Sequence, residues 1–272
     1  MTSFQSRLRS LKSRVFLARG RRPFARGYIS YRQILLEEYV HKTLPDQALP
    51  ENWGLWLDER VVEYPWFLSR LPQTAGRLLD AGSILNHEYV LSHQKLQNKQ
   101  ISIFTLAPED ESHCDRGISY VYGDLRDCCF RDEYFDCVAC LSTLEHVGLD
   151  NTRHYTRDSS KNECSPESYV RALLEMRRVL KTGGTLFLSM PCGRAANLGW
   201  LQVFDQTKIK TLLEIFAPKL CREIYFRYTD SGWQYSSLAA CADAGYCDAA
   251  QRHAGEPAFA AAEAVVCLEL TK

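Results

Sequence analysis

The chain alternates short, almost unbroken apolar runs with longer segments in which apolar residues recur every three or four positions. Leu78 and Leu79 pass through Asp80 into a tight Ala81-Gly82-Ser83 turn, and comparable runs follow at 101–108, 118–124, 135–142 and 185–191. Strands covered on both faces lose the in/out alternation of a half-exposed sheet, so these five runs read as parallel strands. Helical spacing over 87–97 follows the first strand. A second helix opens at Ser165-Pro166-Glu167, with Ser at the cap and Pro at the first helical position, carries Val170, Leu173, Leu174 and Leu180 on one face, and stops at Lys181-Thr182-Gly183-Gly184. A helix over 208–216 and strands over 221–228 and 264–270 close the chain, with an alanine-rich connection containing Gly232-Trp233 between the last two. The five strands alternating with helical patterns, each mostly apolar, specify a doubly wound parallel α/β sheet.

Ahead of this pattern the chain reads differently. Phe4, Leu8, Leu11 and Val15 fall at helical spacing over 4–18, and no acidic residue precedes Glu37, while Arg7, Arg9, Lys12, Arg14, Arg19, Arg21, Arg22, Arg26 and Arg32 all do. Such a basic amphipathic helix suits three roles: packing on the domain, peripheral contact with an anionic membrane surface, or an organellar transit sequence. A second helix over 31–42 ends before Pro45, and Pro45 and Pro50 punctuate the connection to 53–58. Residues 1–58 thus form a basic helical extension or lid, and 59–272 the main domain. The segment from Glu59 leads into the first strand; its Tyr64-Pro65-Trp66 is either an aromatic wall over a ligand or packing on the sheet.

The 272 residues are 46% apolar and 24% charged, enough for one sizeable core, and the formal charge of zero offers no global field for a polyanion. Nucleic acid is therefore not an expected partner. The 11 cysteines are odd in number, and Cys137, Cys140 and Cys267 sit inside apolar runs, which points to free thiols in a reducing, cytoplasmic setting rather than a disulfide framework. Neither Cys128-Cys129 nor the Cys241/Cys247 pair has zinc-type spacing, so no metal is expected. No run reaches the roughly 20 apolar residues of a membrane span.

The chemistry is concentrated at the turn after Asp80. A buried strand that opens a helix through a small-residue turn leaves backbone N–H groups converging on one spot, and in open α/β sheets ligands sit at the carboxyl ends of the strands. The phrases LLDAGS, GDLRDCCFRDEYFD, CLSTLEHVG and EMRRVLKTGGTLFLSMP, in this order, resemble the class I S-adenosylmethionine (SAM) dependent methyltransferases over about residues 77–191. They also resemble a subset of small methyltransferase-like proteins from bacterial glycan and natural-product gene clusters. The resemblance implies a Rossmann-like sheet of seven strands, mostly parallel, with the last strand antiparallel. It places Asp80, Gly82 and Ser83 beside the methionine part of SAM, and Asp124 with Leu125 beside the adenine. Leu141, Ser142 and Thr143 form the wall facing the methyl group. Thr105, followed by Leu106, stands where the family usually has an acidic residue for the ribose, with Glu109 nearby. Ile84, Leu85 and Asn86 replace the further glycines of the turn, and Ile84 is expected to narrow the cradle.

Methyl transfer from a sulfonium neutralises charge, so orientation and exclusion of water matter most, and a base is needed only for a protonated acceptor. Candidate bases are His146, Glu145 and Asp150, with His87 on the opposite rim; His146 serves equally well as a packing residue. The loop over 150–164, with Asp150, Asn151 and Tyr155, is where substrate contacts belong. The expected function is methylation of a small-molecule or sugar-linked acceptor. A degenerate methyltransferase fold serving as a binding or scaffold subunit, and a nicotinamide-dependent α/β enzyme, are the alternatives; the single glycine and the missing ribose acid count against the last. Acceptor atom and oligomeric state have no sequence signature.

Overall fold

In the computed structural model, which describes residues 3–18, 23–45, 48–156, 158–247 and 261–272, parity along each strand decides which layer a side chain joins. Cys137, Ala139 and Leu141 of one strand enter one core cluster, while Val138 and Cys140 enter the other. The main sheet comprises β1 (Gly76–Ala81), β2 (Lys99–Thr105), β3 (Ser119–Tyr122), β4 (Phe135–Leu141), β5 (Leu180–Pro191), β8 (Leu220–Thr229), β9 (Gly232–Ser236) and β10 (Ala264–Thr271). A separate two-stranded ribbon pairs β6 (Ala196–Asn197) with β7 (Gln202–Val203). The strand order is β3-β2-β1-β4-β5-β10-β8-β9. The first five are mutually parallel, and β10 runs antiparallel to β5 and β8.

Helices cover both faces. α6 (Tyr169–Val179) and α7 (Gln206–Phe216) bury Leu173, Met176, Leu212 and Phe216 against one face. α3 (Arg60–Arg70) lies on the other, with Trp66 and Phe67 edge-on to Phe187 at 5.9 and 5.3 Å between ring centres. α1 (Ser3–Ala18) and α2 (Tyr28–Tyr39) extend this layer, and α4 (Glu88–Leu91), α5 (Thr152–Tyr155) and α8 (Leu238–Cys241) are single turns. No helix among the described residues is long and apolar enough to cross a membrane.

Several expectations change. The sheet has eight strands rather than seven, because Gly232–Ser236 is an edge strand hairpinned to β8. Its Trp233 is buried and donates from Nε1 to the Leu57 carbonyl at 3.0 Å, and Trp53 bridges to Gly232. The helix expected over 87–97 shrinks to the single turn Glu88–Leu91. β5 begins at Leu180, and a bulge opposite Phe135 and Cys137 absorbs the glycine pair that reads as a helix stop. The segment from Glu59 is a helix, and its Trp66 is packing, not a wall over a ligand.

α3 carries a proline in its interior. Pro65 has no N–H for the carbonyl of Val61 four residues earlier, and that buried carbonyl instead accepts from Trp53 Nε1 at 3.1 Å. Replacing Trp53 by Phe removes the donor while keeping an aromatic ring, and the orphaned carbonyl should cost about 1–3 kcal/mol in urea unfolding. Adding Pro65→Ala restores a backbone donor, so the double variant should recover most of that loss.

Candidate active site

The carboxyl ends of β1, β2 and β4 and the chain that follows β3 surround a cleft of ≈ 510 Å³. Asp80 ends β1 but does not enter it. Its carboxylate turns inward and accepts from the N–H groups of Ile84 (3.1 Å) and Leu85 (2.8 Å), so it shapes the turn rather than touching a ligand. Burial pushes this carboxyl up to about 7 against the pull of those two donors. Gly82 does line the cleft, with φ +120°, and a Cβ there would fall 2.3 Å from Thr143 Oγ1. Ser83 is buried beside it, and its Oγ has no hydrogen-bond partner among the described residues.

Ile84 does not narrow the cradle. Its side chain packs against the core beneath the turn, its carbonyl accepts from Tyr64 Oη at 2.9 Å, and it is absent from the cleft wall. Thr105, Leu106 and Phe104 form the wall at the end of β2. Glu109 is turned away, accepting from Asn86 Nδ2 at 3.2 Å, and does not line the cleft beside Thr105.

Asp124 and Leu125 line the next part of the wall. The Asp124 carboxylate is gripped by Arg126 through Nε (2.9 Å) and an η nitrogen (2.5 Å). Arg126 also makes a bidentate pair with Glu163 at 2.6 and 2.7 Å, which ties the loop over the cleft to the floor. Burial pushes the Asp124 carboxyl up, but its bonds to Arg126 outweigh this and hold it below the usual range. From that loop Asn151, Thr152, Tyr155, Lys161 and Asn162 face the cavity.

At the end of β4 only Thr143 of the three wall candidates reaches the cleft. Leu141 is buried and presents its carbonyl to Arg60 (3.5 Å) and Thr143 Oγ1 (3.1 Å). Ser142 donates to the buried Glu63 at 2.6 Å, as does Ser189 of β5, and Arg60 completes that carboxylate's shell at 2.5 Å. This grip of α3 on two strand ends has a faint sequence signal: Arg60 and Glu63, three apart, stand among residues that are otherwise apolar.

Of the candidate bases only His146 lines the cleft. Its Nδ1 lies 3.0 Å from the Trp200 carbonyl, and its ring stacks on Trp200 at 5.3 Å. A carbonyl only accepts, so Nδ1 carries the proton and Nε2 holds the lone pair in the neutral ring. Glu145 is buried behind it, 3.9 Å from Nε2, and burial together with Glu63 drives its carboxyl well above the usual range. Asp150 is occupied by Thr152, whose N–H and Oγ1 donate to it at 3.1 and 2.6 Å. His87 stacks on Tyr89 outside the cleft, and burial beside Arg32 and Arg60 lowers it to about 4.

All eleven cysteines are free thiols, and among the described residues no group of three or more metal-ligating side chains converges. The site is thus a glycine cradle, an acid held by a guanidinium, apolar walls and one histidine with a defined tautomer. Residues 92–188 match the family described as Methyltransferase domain, a stretch that starts after the glycine turn and ends in β5. No curated protein matches the chain. Similar solved structures include the 1,6-didemethyltoxoflavin-N1-methyltransferase of Burkholderia thailandensis, bound to its namesake substrate and S-adenosylhomocysteine (14% identity, 73% of this chain and 72% of that one, TM-score 0.44). Others are a SAM-dependent methyltransferase of Thermotoga maritima (15%, 89% and 94%, 0.46) and one of Methanosarcina mazei (14%, 75% and 96%, 0.43). The domain match, set in a sheet of this order with the LLDAGS and CLSTLEHVG phrases at two of its strand ends, gives the chain a methyltransferase domain over residues 92–188 within a Rossmann-like sheet.

Proposed function

We propose that the protein methylates a nitrogen or oxygen of a small-molecule or sugar-linked acceptor. The observation that carries this reading is the cleft, whose volume falls within the roughly 300–1,000 Å³ of small-molecule sites and whose roof is a polar loop tethered by Glu163. The residues present fit SAM: Gly82 leaves room where a Cβ would collide with Thr143, Phe104 and Leu125 offer apolar contact, and Asp124 is an ionised acceptor for an exocyclic amine. Thr105 contributes one hydroxyl for the ribose. When bound, SAM supplies a methyl group made electrophilic by its sulfonium.

The chain's own contribution is orientation and dryness. The loop over 150–164 excludes water from above, and Thr143 fixes the wall at the end of β4. His146 takes the acceptor's proton on Nε2 while the Trp200 carbonyl holds its Nδ1–H. The second reading, a degenerate fold without cofactor, loses one of its two supports because Ile84 lies outside the cleft.

The basic N-terminal helix suits an anionic membrane surface. α1 is anchored through buried Phe16, edge-on to Tyr28, and through Arg9 paired with Glu37, while Leu8 and Leu11 remain 42% and 60% exposed. Leu8 and Leu11 of the amphipathic stripe are therefore not part of the face that packs, and Arg7, Lys12 and Arg14 flank them.

Titration calorimetry should show saturable S-adenosylhomocysteine binding, weakened at least about ten-fold by Gly82→Ala, which collides with Thr143 in a backbone region closed to alanine. The Asp80 carboxyl keeps its proton in the fold at pH values where the unfolded chain has lost it. Stability relative to Asp80→Asn should fall as pH rises from about 4 to about 7, by up to about 4 kcal/mol, and level off above. Urea midpoints of the two proteins across that range measure it. Co-sedimentation should follow anionic but not zwitterionic vesicles, and Leu8→Glu with Leu11→Glu should abolish it.

A further inference from the structure

The stretch of cleft wall from Thr143 to Thr152 carries four polar side chains, Thr143, His146, Asn151 and Thr152. Each has already spent its polar hydrogens on the protein. The Thr143 hydroxyl donates to the Leu141 carbonyl at 3.1 Å, and the Thr152 hydroxyl to the Asp150 carboxylate at 2.6 Å. His146 commits its Nδ1–H to the Trp200 carbonyl at 3.0 Å. Asn151 gives its amide hydrogens to two backbone carbonyls, those of His146 (2.9 Å) and Leu149 (3.1 Å). Two carbonyls facing one end of the amide also settle which end is nitrogen, since an oxygen there would meet only other acceptors. The backbone follows suit at Val147 and Leu149, whose N–H groups each donate at 3.2 Å to the Leu144 and His146 carbonyls. What the side chains of this wall keep for a ligand is lone pairs, on Thr143 Oγ1, His146 Nε2, Asn151 Oδ1 and Thr152 Oγ1.

A wall of acceptors is satisfied by a group rich in N–H and poor in lone pairs. We propose that the reacting group of the acceptor is a primary amine, bound against this wall as its ammonium, so that the methyl group goes to nitrogen. The proposal narrows the acceptor class within the methyltransferase reading and rests on it. An ammonium brings three hydrogens and no lone pair, which serves the base and the wall oxygens together. A hydroxyl brings one hydrogen and sets its own lone pairs against the remaining oxygens, while a carboxylate, phosphate or carbonyl brings none. A site built around N–H donors discriminates strongly against an analogue that lacks them. The ammonium passes one proton to Nε2 of His146, which becomes imidazolium. The lone pair so exposed forms the N–C bond, and the electron pair of the breaking C–S bond returns to sulfur. The products are a secondary ammonium, a neutral thioether and the proton that His146 releases to solvent. Two hydrogens stay on nitrogen throughout, and they hold it to the oxygens of the wall.

NMR titrations with three probes separate hydrogen count from charge. At neutral pH benzylamine and N,N-dimethylbenzylamine are ammonium ions with three and one N–H, and benzyl alcohol is neutral with one O–H. Each is titrated into the full chain with and without saturating S-adenosylhomocysteine. Benzylamine should bind about ten-fold or more tightly than either of the others. Thr143→Val and Thr152→Val each remove one wall oxygen at nearly constant volume, and each should cut that preference by about three-fold or more. The Thr152 N–H bond to Asp150 survives its substitution, so that variant should keep its fold and hold its S-adenosylhomocysteine affinity within about two-fold. Equal affinity for benzylamine and its dimethyl analogue assigns the preference to charge and overturns the proposal. So does benzyl alcohol that binds as tightly as benzylamine, or a preference undiminished in both variants. A loss of S-adenosylhomocysteine affinity in Thr152→Val as large as the loss of benzylamine affinity also overturns it, by assigning this wall to the cofactor. Wild-type protein that binds no S-adenosylhomocysteine refutes the methyltransferase reading instead, and the cofactor-free titrations then decide whether the wall selects amines.

Discussion

A single carboxylate holds the cleft in place. Glu63, wholly inaccessible to water, accepts from the hydroxyls of Ser142 and Ser189 and from the Arg60 guanidinium, so one turn of α3 is fastened to the ends of two neighbouring strands. Within the same turn Tyr64 reaches the carbonyl of Ile84 after β1, and Arg60 the carbonyl of Leu141 in β4. A buried ion is costly unless its lone pairs are satisfied, and these donors satisfy it. The arrangement sets the position of the loop that carries Thr143 and His146, on which the geometry of the cleft depends. It also explains why charged residues tolerate the apolar face of a helix.

A second charge arrangement works from the opposite side. Arg126 lies between Asp124 and Glu163, so the acid on the floor and the loop overhead share one guanidinium. The planar fork can serve two carboxylates at once, which a lysine cannot do with the same geometry. The roof is thereby coupled to the residue beneath it.

Much of the sheet could be read from the chain because buried parallel strands announce themselves as apolar runs, and β1, β2, β4 and β5 do so plainly. The cradle was legible for a similar reason: Gly82 sits where only glycine fits. What escaped reading has physical causes. β9 is short, begins with glycine and depends on Trp53 for its outer partner, a contact between residues far apart in sequence. α3 hides because Pro65 usually excludes a helix interior. The direction of Ile84 follows from Tyr64 holding its carbonyl, which no local pattern encodes. Among the candidate site residues, Gly82, Thr105, Leu106, Asp124, Leu125, Thr143 and His146 meet at the cleft, whereas Asp80, Ser83, Leu141, Ser142, Glu145 and Asp150 stand behind its surface. Sequence order locates a strand end; it does not tell which side of the turn a side chain takes.

The proline in α3 has a consequence for the way the molecule breathes. Because the Val61 carbonyl depends on an indole from the preceding segment, the helix is incomplete by itself, and its ladder closes only when the turn around Trp53 has docked. That turn is also pinned to the sheet's outermost strand through Trp233 and Gly232. Edge strand, entry segment and helix are therefore linked by one continuous set of contacts, which runs from the rim of the sheet to the start of the helix, where Arg60 and Glu63 grip the strand ends.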